Sequence, residues 1–527
     1  MTDHPSYLDQ HFLVDELREL PDAELRDRLK SALEQNTPFN NLIMNALAGE
    51  LFARTLEQQG DRDGAAAARE AQRGHRPYFE VRLDVHAFIH NLHRYARHVE
   101  EKMPGENGIE HLIVTVKSGA YGHGGIEMAH AALEAGATML SVDDVPKGIS
   151  LRDSGVDQAE ILCLYPPPLD EHYELAVAGN IMLTIGSLDD FHRLQDAIDK
   201  YNALEVDRPK ITNTHRFKIH IKIDSGMHRY GIEPGQALTL IQAIRKDERI
   251  EIQGIFTHFA RADMLEDKHM QFTRQQFETF LNVLRELHAQ GIEIPIVHIA
   301  NSAAHWNFQD AFDPEQIHAA YPGCKIMTRP GIGLYGPPST PGFDTNDVGI
   351  EQVMTVRTRM QKIEKVPAGE GIGYASRGPK PYDQWVAIVA GGYADGLRRD
   401  LHPNEPDDIH WWVIVKRSDD QSNATPIRCF DDKGDPLPDS DFSRMEQLPD
   451  GGVLCPIAAT IAMNGFVIRL PDQAAAQRLV RTRDTIVEII GPHNPAQAMA
   501  DELGTLPHPV VLGFAAAAGQ RGVTYVK

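Results

Sequence analysis

The chain has 527 residues, 42% hydrophobic and 24% charged, with 42 Gly, 33 Pro and 4 Cys, an ordinary globular composition that excludes collagen-like, low-complexity and disulfide-scaffold proteins. Lys and Arg total 52 against 75 Asp and Glu, a formal charge of −23 with no basic block, so nucleic acid and membrane surfaces are not expected partners. The first residues lack a cationic stretch followed by an apolar run, and no segment approaches the ~18 apolar residues of a spanning helix; a cytoplasmic protein is expected.

In chain order, residues 1–76 carry Leu17, Leu20, Leu25, Leu29 and Leu33 at helical spacing and an Ala-rich stretch near 65–71, which predicts an acidic helical extension with no catalytic constellation. From 77 to about 340 the pattern changes to short apolar runs at 112–116, 139–142, 161–164, 181–184, 217–223, 253–257, 296–299 and 325–328, separated by amphipathic helices. Eight strands alternating with helices predict an α/β fold closed as a (β/α)8 barrel; a doubly wound sheet is the other option, but no GxGxxG turn follows the first strand. Residues 341–527 show alternating runs at 353–363, 385–389, 411–415 and 467–470 broken by Gly, Pro and Asp, which predicts a mostly antiparallel β domain. A polar stretch at about 400–452 containing Trp411 and Trp412 reads as an insertion with a short hairpin. Cys163, Cys324, Cys429 and Cys455 are scattered, without CxxC pairs or nearby His, and are read as packed thiols with no metal.

In such a barrel the loops after the strands carry the chemistry. The first strand runs into Lys117-Ser118-Gly119-Ala120-Tyr121-Gly122-His123-Gly124, where a half-desolvated lysine is suited to form a Schiff base and glycines admit a bound group. Taken alone, this loop reads equally well as a surface lysine. The fifth strand, however, ends in Lys222 and continues to Arg229, the sixth ends in Thr257-His258, the seventh runs from His298 to Ser302, and the eighth ends in Arg329-Pro330-Gly331-Ile332. Polar ends converging on one rim are poorly explained as separate structural residues. Arg229 has the fork to clamp a carboxylate, while Ser302, Gly331 and Ile332 offer hydroxyl and N–H donors to a phosphate.

These segments resemble the alanine racemase family, pyridoxal phosphate enzymes of fold type III. The resemblance rests on KSGAYGHG from Lys117, KIDSGMHRYG from Lys222, THFARAD from Thr257, HIANSAA from His298, RPGIGLYG from Arg329, GEGIGYA from Gly369 and GGYADGLRR from Gly391. It implies pyridoxal 5'-phosphate held by Lys117, which also serves as one of two bases. Tyr393, from the β domain of a partner subunit, is the implied opposite base in a homodimer. Arg329 is implied to face the pyridine nitrogen with His258 hydrogen-bonded to it, and Arg229 to hold the phenolic oxygen and the substrate carboxylate. Tyr121, Ser302, Gly331 and Ile332 are the implied phosphate ligands, with the Met463 backbone near the carboxylate; in some members the lysine at the Lys222 position is carbamylated.

Two bases on opposite faces of Cα are the simplest device for moving a proton from one face to the other. An arginine at the ring nitrogen is too weak an acid to protonate it, which shortens the carbanion's life and suppresses transamination. The chain departs from the family at Gly119, commonly Asn, at Asn464, commonly Asp, and between Phe514 and Gln520, where a Tyr often completes phosphate binding. The expected activity is therefore alanine racemisation, with a broad-specificity or polar or basic amino-acid racemase as the alternative. A non-catalytic pyridoxal phosphate-binding regulator is a further alternative, against which Tyr393 argues.

Overall fold

Short β-branched runs that cannot stand alone find partners, among the described residues, in two sheets of eight strands each. The structure is a computed structural model and describes residues 79–204, 208–340, 345, 347–376, 379–401, 412–417, 453–470, 485–490, 496, 499–500, 507–518 and 523–526. The expected extension at 1–76, most of the stretch at about 400–452, and Cys429 lie outside these residues. The chain divides into two compact units, Met1–Glu80 and Val81–Lys527, and the second carries the barrel.

The first sheet is the expected barrel. Strands β2 (Ile113–Thr115), β3 (Met139–Val142), β4 (Glu160–Cys163), β5 (Met182–Ile185), β6 (Phe217–Lys222), β7 (Ile250–Phe256), β8 (Ile296–Asn301) and β9 (Lys325–Arg329) pair in sequence order. All neighbours are parallel, and a parallel bridge between Leu112 and Thr328 brings the last strand back to the first. Each of the eight runs anticipated from sequence is one of these strands, with ends that differ by a few residues because the hydrogen-bond ladder, not side-chain character, ends a strand. Between them run α2 (Gly125–Glu134), α3 (Val145–Asp153), α4 (Asp170–Ala178), α5 (Leu188–Ala203), α6 (Ala237–Ile244), α7 (Asp267–Ala289), α8 (Ser302–Asn307) and α9 (Pro314–Ala320), after an α1 (Val85–Lys102) that precedes the barrel. Their caps are legible: Asp84, Asp144, Ser187 and Asn301 each accept a first-turn N–H. Ile113, Met139, Leu162, Leu164, Met182, Phe256, Ile296 and Met327 pack as one cluster of the barrel, each large side chain contributing about 1.5–3 kcal/mol by leaving water.

The second sheet runs β13 (Val453–Pro456), β12 (Trp412–Arg417), β15 (Thr485–Ile490), β10 (Met354–Val366), β1 (Glu80–Asp84), β16 (Val523–Val526). From β10 it branches to β11 (Gln384–Ala390) and then β14 (Gly465–Arg469). It is mostly antiparallel, as anticipated, but β1 and β16 are parallel, Val81 opposite Val523. The sequence pattern marks no strand before residue 112, so β1 is an addition: five residues ahead of the barrel belong to the other sheet. β12 lies within the stretch read as an insertion, yet it pairs on both edges, to β13 and β15, and so is integral to the sheet. Helix α10 (Pro507–Ala518) is a second element the pattern does not announce. Cys163, Cys324 and Cys455 are buried, and burial pushes the Cys163 thiol up to about 12 and Cys324 to about 11, inert values that suit packing. Among the described residues no helix is long and apolar enough to cross a membrane.

Candidate active site

The carboxyl ends of β2, β6, β7, β8 and β9 gather the charged and hydroxylic side chains on one rim. Lys117 follows β2, half-buried, with Nζ 5.4 Å from the centroid of the Tyr121 ring. Between the two, the backbone is left-handed: Ser118 (φ 52°), Gly119 (φ 62°), Ala120 (φ 56°) and Tyr121 (φ 54°) follow one another. Three of these have a Cβ, and at roughly 1–2 kcal/mol for each such residue the turn stores several kcal/mol that its surroundings must offset. It is closed by its own bonds, Ala120 N–H to Val116 O at 2.8 Å and Gly124 N–H to Gly119 O at 3.0 Å.

Tyr121 leans on the turn after β9. A Cβ built on Gly331 would lie 2.2 Å from the Tyr121 hydroxyl, so only glycine permits this approach. The Ile332 backbone hydrogen-bonds the same hydroxyl, and burial holds the phenol far above its ordinary pKa. Ser302, at the start of α8, accepts from the Gly331 N–H at 2.7 Å and the Gly333 N–H at 3.4 Å. Tyr121, Ser302, Gly331 and Ile332 thus form one cradle of neutral O–H and N–H groups, a donor set that suits a phosphate dianion. Its chemistry fits the phosphate of the expected cofactor.

Arg329 closes β9 at 5% exposure, and none of the described carboxylates forms an ion pair with it. It donates to His298 Nδ1 at 2.8 Å and to the carbonyls of His298, Thr257 and Ile299 at 2.7, 2.6 and 3.2 Å. Burial lowers its pKa to about 9, still charged at neutral pH. His258, the partner expected from sequence, lies at 3.4 Å through Nδ1, longer than the His298 contact. Because an arginine can only donate, both histidines must accept and stay neutral; burial, then the Arg329 charge, holds both pKa values well below normal. His298 Nε2 then faces His220 Nδ1 at 2.8 Å, extending the chain into the barrel core.

Lys222, 4% exposed at the end of β6, has rings on several sides, the Tyr165, Tyr230 and Phe256 centroids lying 5.7, 5.4 and 5.6 Å from Nζ. Burial and then the charges of Arg229 and Arg329 bring it down to about 7. Asp224 accepts the N–H groups of Gly226, Met227 and His228 at 3.0, 2.9 and 3.0 Å, curling the loop so that Arg229 returns over Tyr165, 5.5 Å from its centroid.

Tyr393 and Met463 are far apart in sequence and adjacent here, because Tyr393 N–H donates to Ala462 O and Ala394 N–H to Met463 O, both at 3.1 Å. They stand just past the end of β11 and just before β14 of the second sheet, 43% and 53% exposed. Sequence reasoning does not single out His220, Tyr165 or Asp143, and reaches His298 only within a motif. A signal for His220 exists: Lys218, His220 and Lys222 alternate along a strand otherwise apolar, the mark of a polar file on a buried face.

Comparison with known proteins identifies the family and the fold. Residues 83–338 match the model of the alanine racemase N-terminal domain and residues 353–412 that of the C-terminal domain. Alanine racemase 1 of Oceanobacillus iheyensis is 30% identical over 439 residues, 82% of this chain and 94% of that protein. The alanine racemase of a Nostoc species is 31% identical over 321 residues, 61% of this chain and 74% of its own length. Among solved structures, the alanine racemase of Streptomyces lavendulae shares the fold at 21% identity, TM-score 0.62, covering 85% of this chain and 97% of that one. That of Bacillus anthracis with bound L-Ala-P aligns at 26% identity, TM-score 0.58, covering 83% of this chain and 92% of that one.

Proposed function

Because the chain belongs to the alanine racemase family, it is an amino-acid racemase, and we propose that it interconverts L- and D-alanine with pyridoxal 5'-phosphate as a homodimer. The observation that carries this is the rim itself, where Lys117, Arg329 and the cradle of Tyr121, Ser302, Gly331 and Ile332 gather at the carboxyl ends of the strands. When bound, the cofactor supplies the electron sink for the charge left on Cα.

The chain's own residues do the rest. The cradle binds the phosphate, Lys117 holds the cofactor, and Arg329 donates to the ring nitrogen while keeping its proton. His258 and His298, held neutral, orient Arg329 without competing for that proton. Arg229 clamps the phenolic oxygen and the substrate carboxylate, with the backbone of Met463 of the partner subunit, which adjoins the partner's Tyr393, beside the latter. Once the incoming substrate amine has released it, Lys117 Nζ takes the proton from one face of Cα, and Tyr393 Oη of the partner subunit returns one to the other face. Tyr393 and Met463, adjacent through the backbone and exposed at 43% and 53%, leave large side chains in solvent of the kind a second subunit covers, which supports a shared site.

Purified protein should retain cofactor absorbance through dialysis and abolish the circular dichroism of L-alanine. Lys117→Ala should lose both. Tyr393→Phe should keep the absorbance and lose about 10²–10⁴ in rate, the span of a general acid–base group. Wild-type protein without bound pyridoxal phosphate would overturn the reading; faster turnover of serine, lysine or arginine than of alanine would overturn the substrate.

A further inference from the structure

The left-handed turn after Lys117 needs an outside support, and the barrel register supplies one. β2 and β3 are parallel with Thr115 opposite Ser141, and the Val116 N–H still donates to Ser141 O at 2.9 Å, so just beyond the ladder the turn after Lys117 meets Asp143 on the rim. Asp144 is occupied as the cap of α3, accepting the Lys147 N–H at 2.9 Å. Asp143, one residue earlier, serves the turn after Lys117 instead. Its carboxylate accepts the Ser118 N–H at 3.2 Å on both oxygens and the Ser118 hydroxyl at 3.0 Å. Lys147 Nζ, in the first turn of α3, donates to both oxygens at 2.9 Å and to Asp144 Oδ2 at 2.8 Å.

The Ser118 N–H is the first donor of the turn, and the turn's own backbone bonds leave it over. It stands where a helix would need an N-cap, and a residue of the neighbouring strand's loop fills the role. The two ends of the turn are Lys117 and Tyr121. On the proposed function, on which this inference rests, these are two separate points of hold on one cofactor.

We propose that Asp143, fixed by Lys147, is a positioning residue that caps the left-handed turn from the adjacent strand and thereby sets the distance between Lys117 and Tyr121. Without the carboxylate the strained residues relax toward ordinary backbone, and the amine and the phosphate cradle fall out of register. Asp143 touches no reacting atom; it acts through the backbone of Ser118.

The test is hydrogen–deuterium exchange of full-length wild type, Asp143→Ala and Asp143→Asn, with and without cofactor, alongside cofactor loss on dialysis. In Asp143→Ala, the segment 117–124 should exchange about tenfold faster, the equivalent of one charge-assisted hydrogen bond, with other barrel segments unchanged and cofactor lost faster by a similar factor. Asp143→Asn, whose amide oxygen still accepts from Ser118, should recover most of both. Wild-type exchange at 117–124 in Asp143→Ala overturns the proposal, as does equal acceleration across the whole barrel in both variants. Should the wild type bind no pyridoxal phosphate, the functional reading fails, while exchange in the cofactor-free proteins still decides whether Asp143 holds the turn.

Discussion

Gly331 shows how much of the site depends on one missing methyl. Its Cα hydrogen faces the Tyr121 hydroxyl at a distance no Cβ tolerates, and its N–H is tied to the Ser302 hydroxyl at 2.7 Å. Gly331→Ala should displace the Tyr121 ring and weaken cofactor binding by about tenfold or more, the equivalent of one charge-assisted hydrogen bond, measured by equilibrium titration with pyridoxal phosphate. Unchanged affinity would mean that Tyr121 takes no part in the cradle. Single residues are highly legible here: Lys117, Ser302, Arg329 and Gly331 all stand out in motifs that keep residue type and spacing together. Asp143 does not, because what singles it out is its contact with Ser118 just past the β2–β3 ladder, and no local pattern announces a cross-strand neighbour.

Among the elements, β6 and β7 illustrate why buried polar groups need a close fit of backbone. The register between them shifts after Ile219, placing His220 opposite Gly254, and a Cβ on Gly254 would lie 2.2 Å from His220 Nδ1. That nitrogen is the one facing His298 at 2.8 Å, so room at Gly254 keeps the file from His220 through His298 to Arg329 intact. Gly254→Ala should therefore cost about 1–3 kcal/mol from overpacking, read as a lower denaturant midpoint, together with weaker cofactor retention. Gly235→Ala, where a Cβ meets nothing within 4 Å, should leave both unchanged and serves as the control. The eight barrel strands are readable because each is a short apolar run between amphipathic helices. β1 escapes notice because five alternating residues take their meaning only from the distant β16 with which they pair.

Across the molecule, an acidic chain encloses a core that depends on neutral histidines. Burial lowers His123 to about 4 and His220 to about 3, and it holds His258, His298 and His305 well below the ordinary value. A depressed folded pKa means that the unfolded chain binds more protons below about 6.5, the ordinary histidine value. Stability is therefore complete above that pH and is lost as pH falls toward the folded values, each histidine contributing up to about 1.4 kcal/mol per pH unit. Urea midpoints of the cofactor-free protein should fall steadily from pH 7 to pH 5; a flat profile would show that these rings are not buried neutral. The barrel, the antiparallel partner domain, the family and most rim residues follow from the chain alone, because strand periodicity, turn residues and contiguous motifs are local properties. Four facts do not: that β1 joins the second sheet, that Tyr393 meets Met463, that His298 rather than His258 is the tighter partner of Arg329, and that Asp143 accepts from Ser118 in the turn after Lys117. These depend on register and on which strands lie side by side, and both are set by packing between segments far apart in the chain.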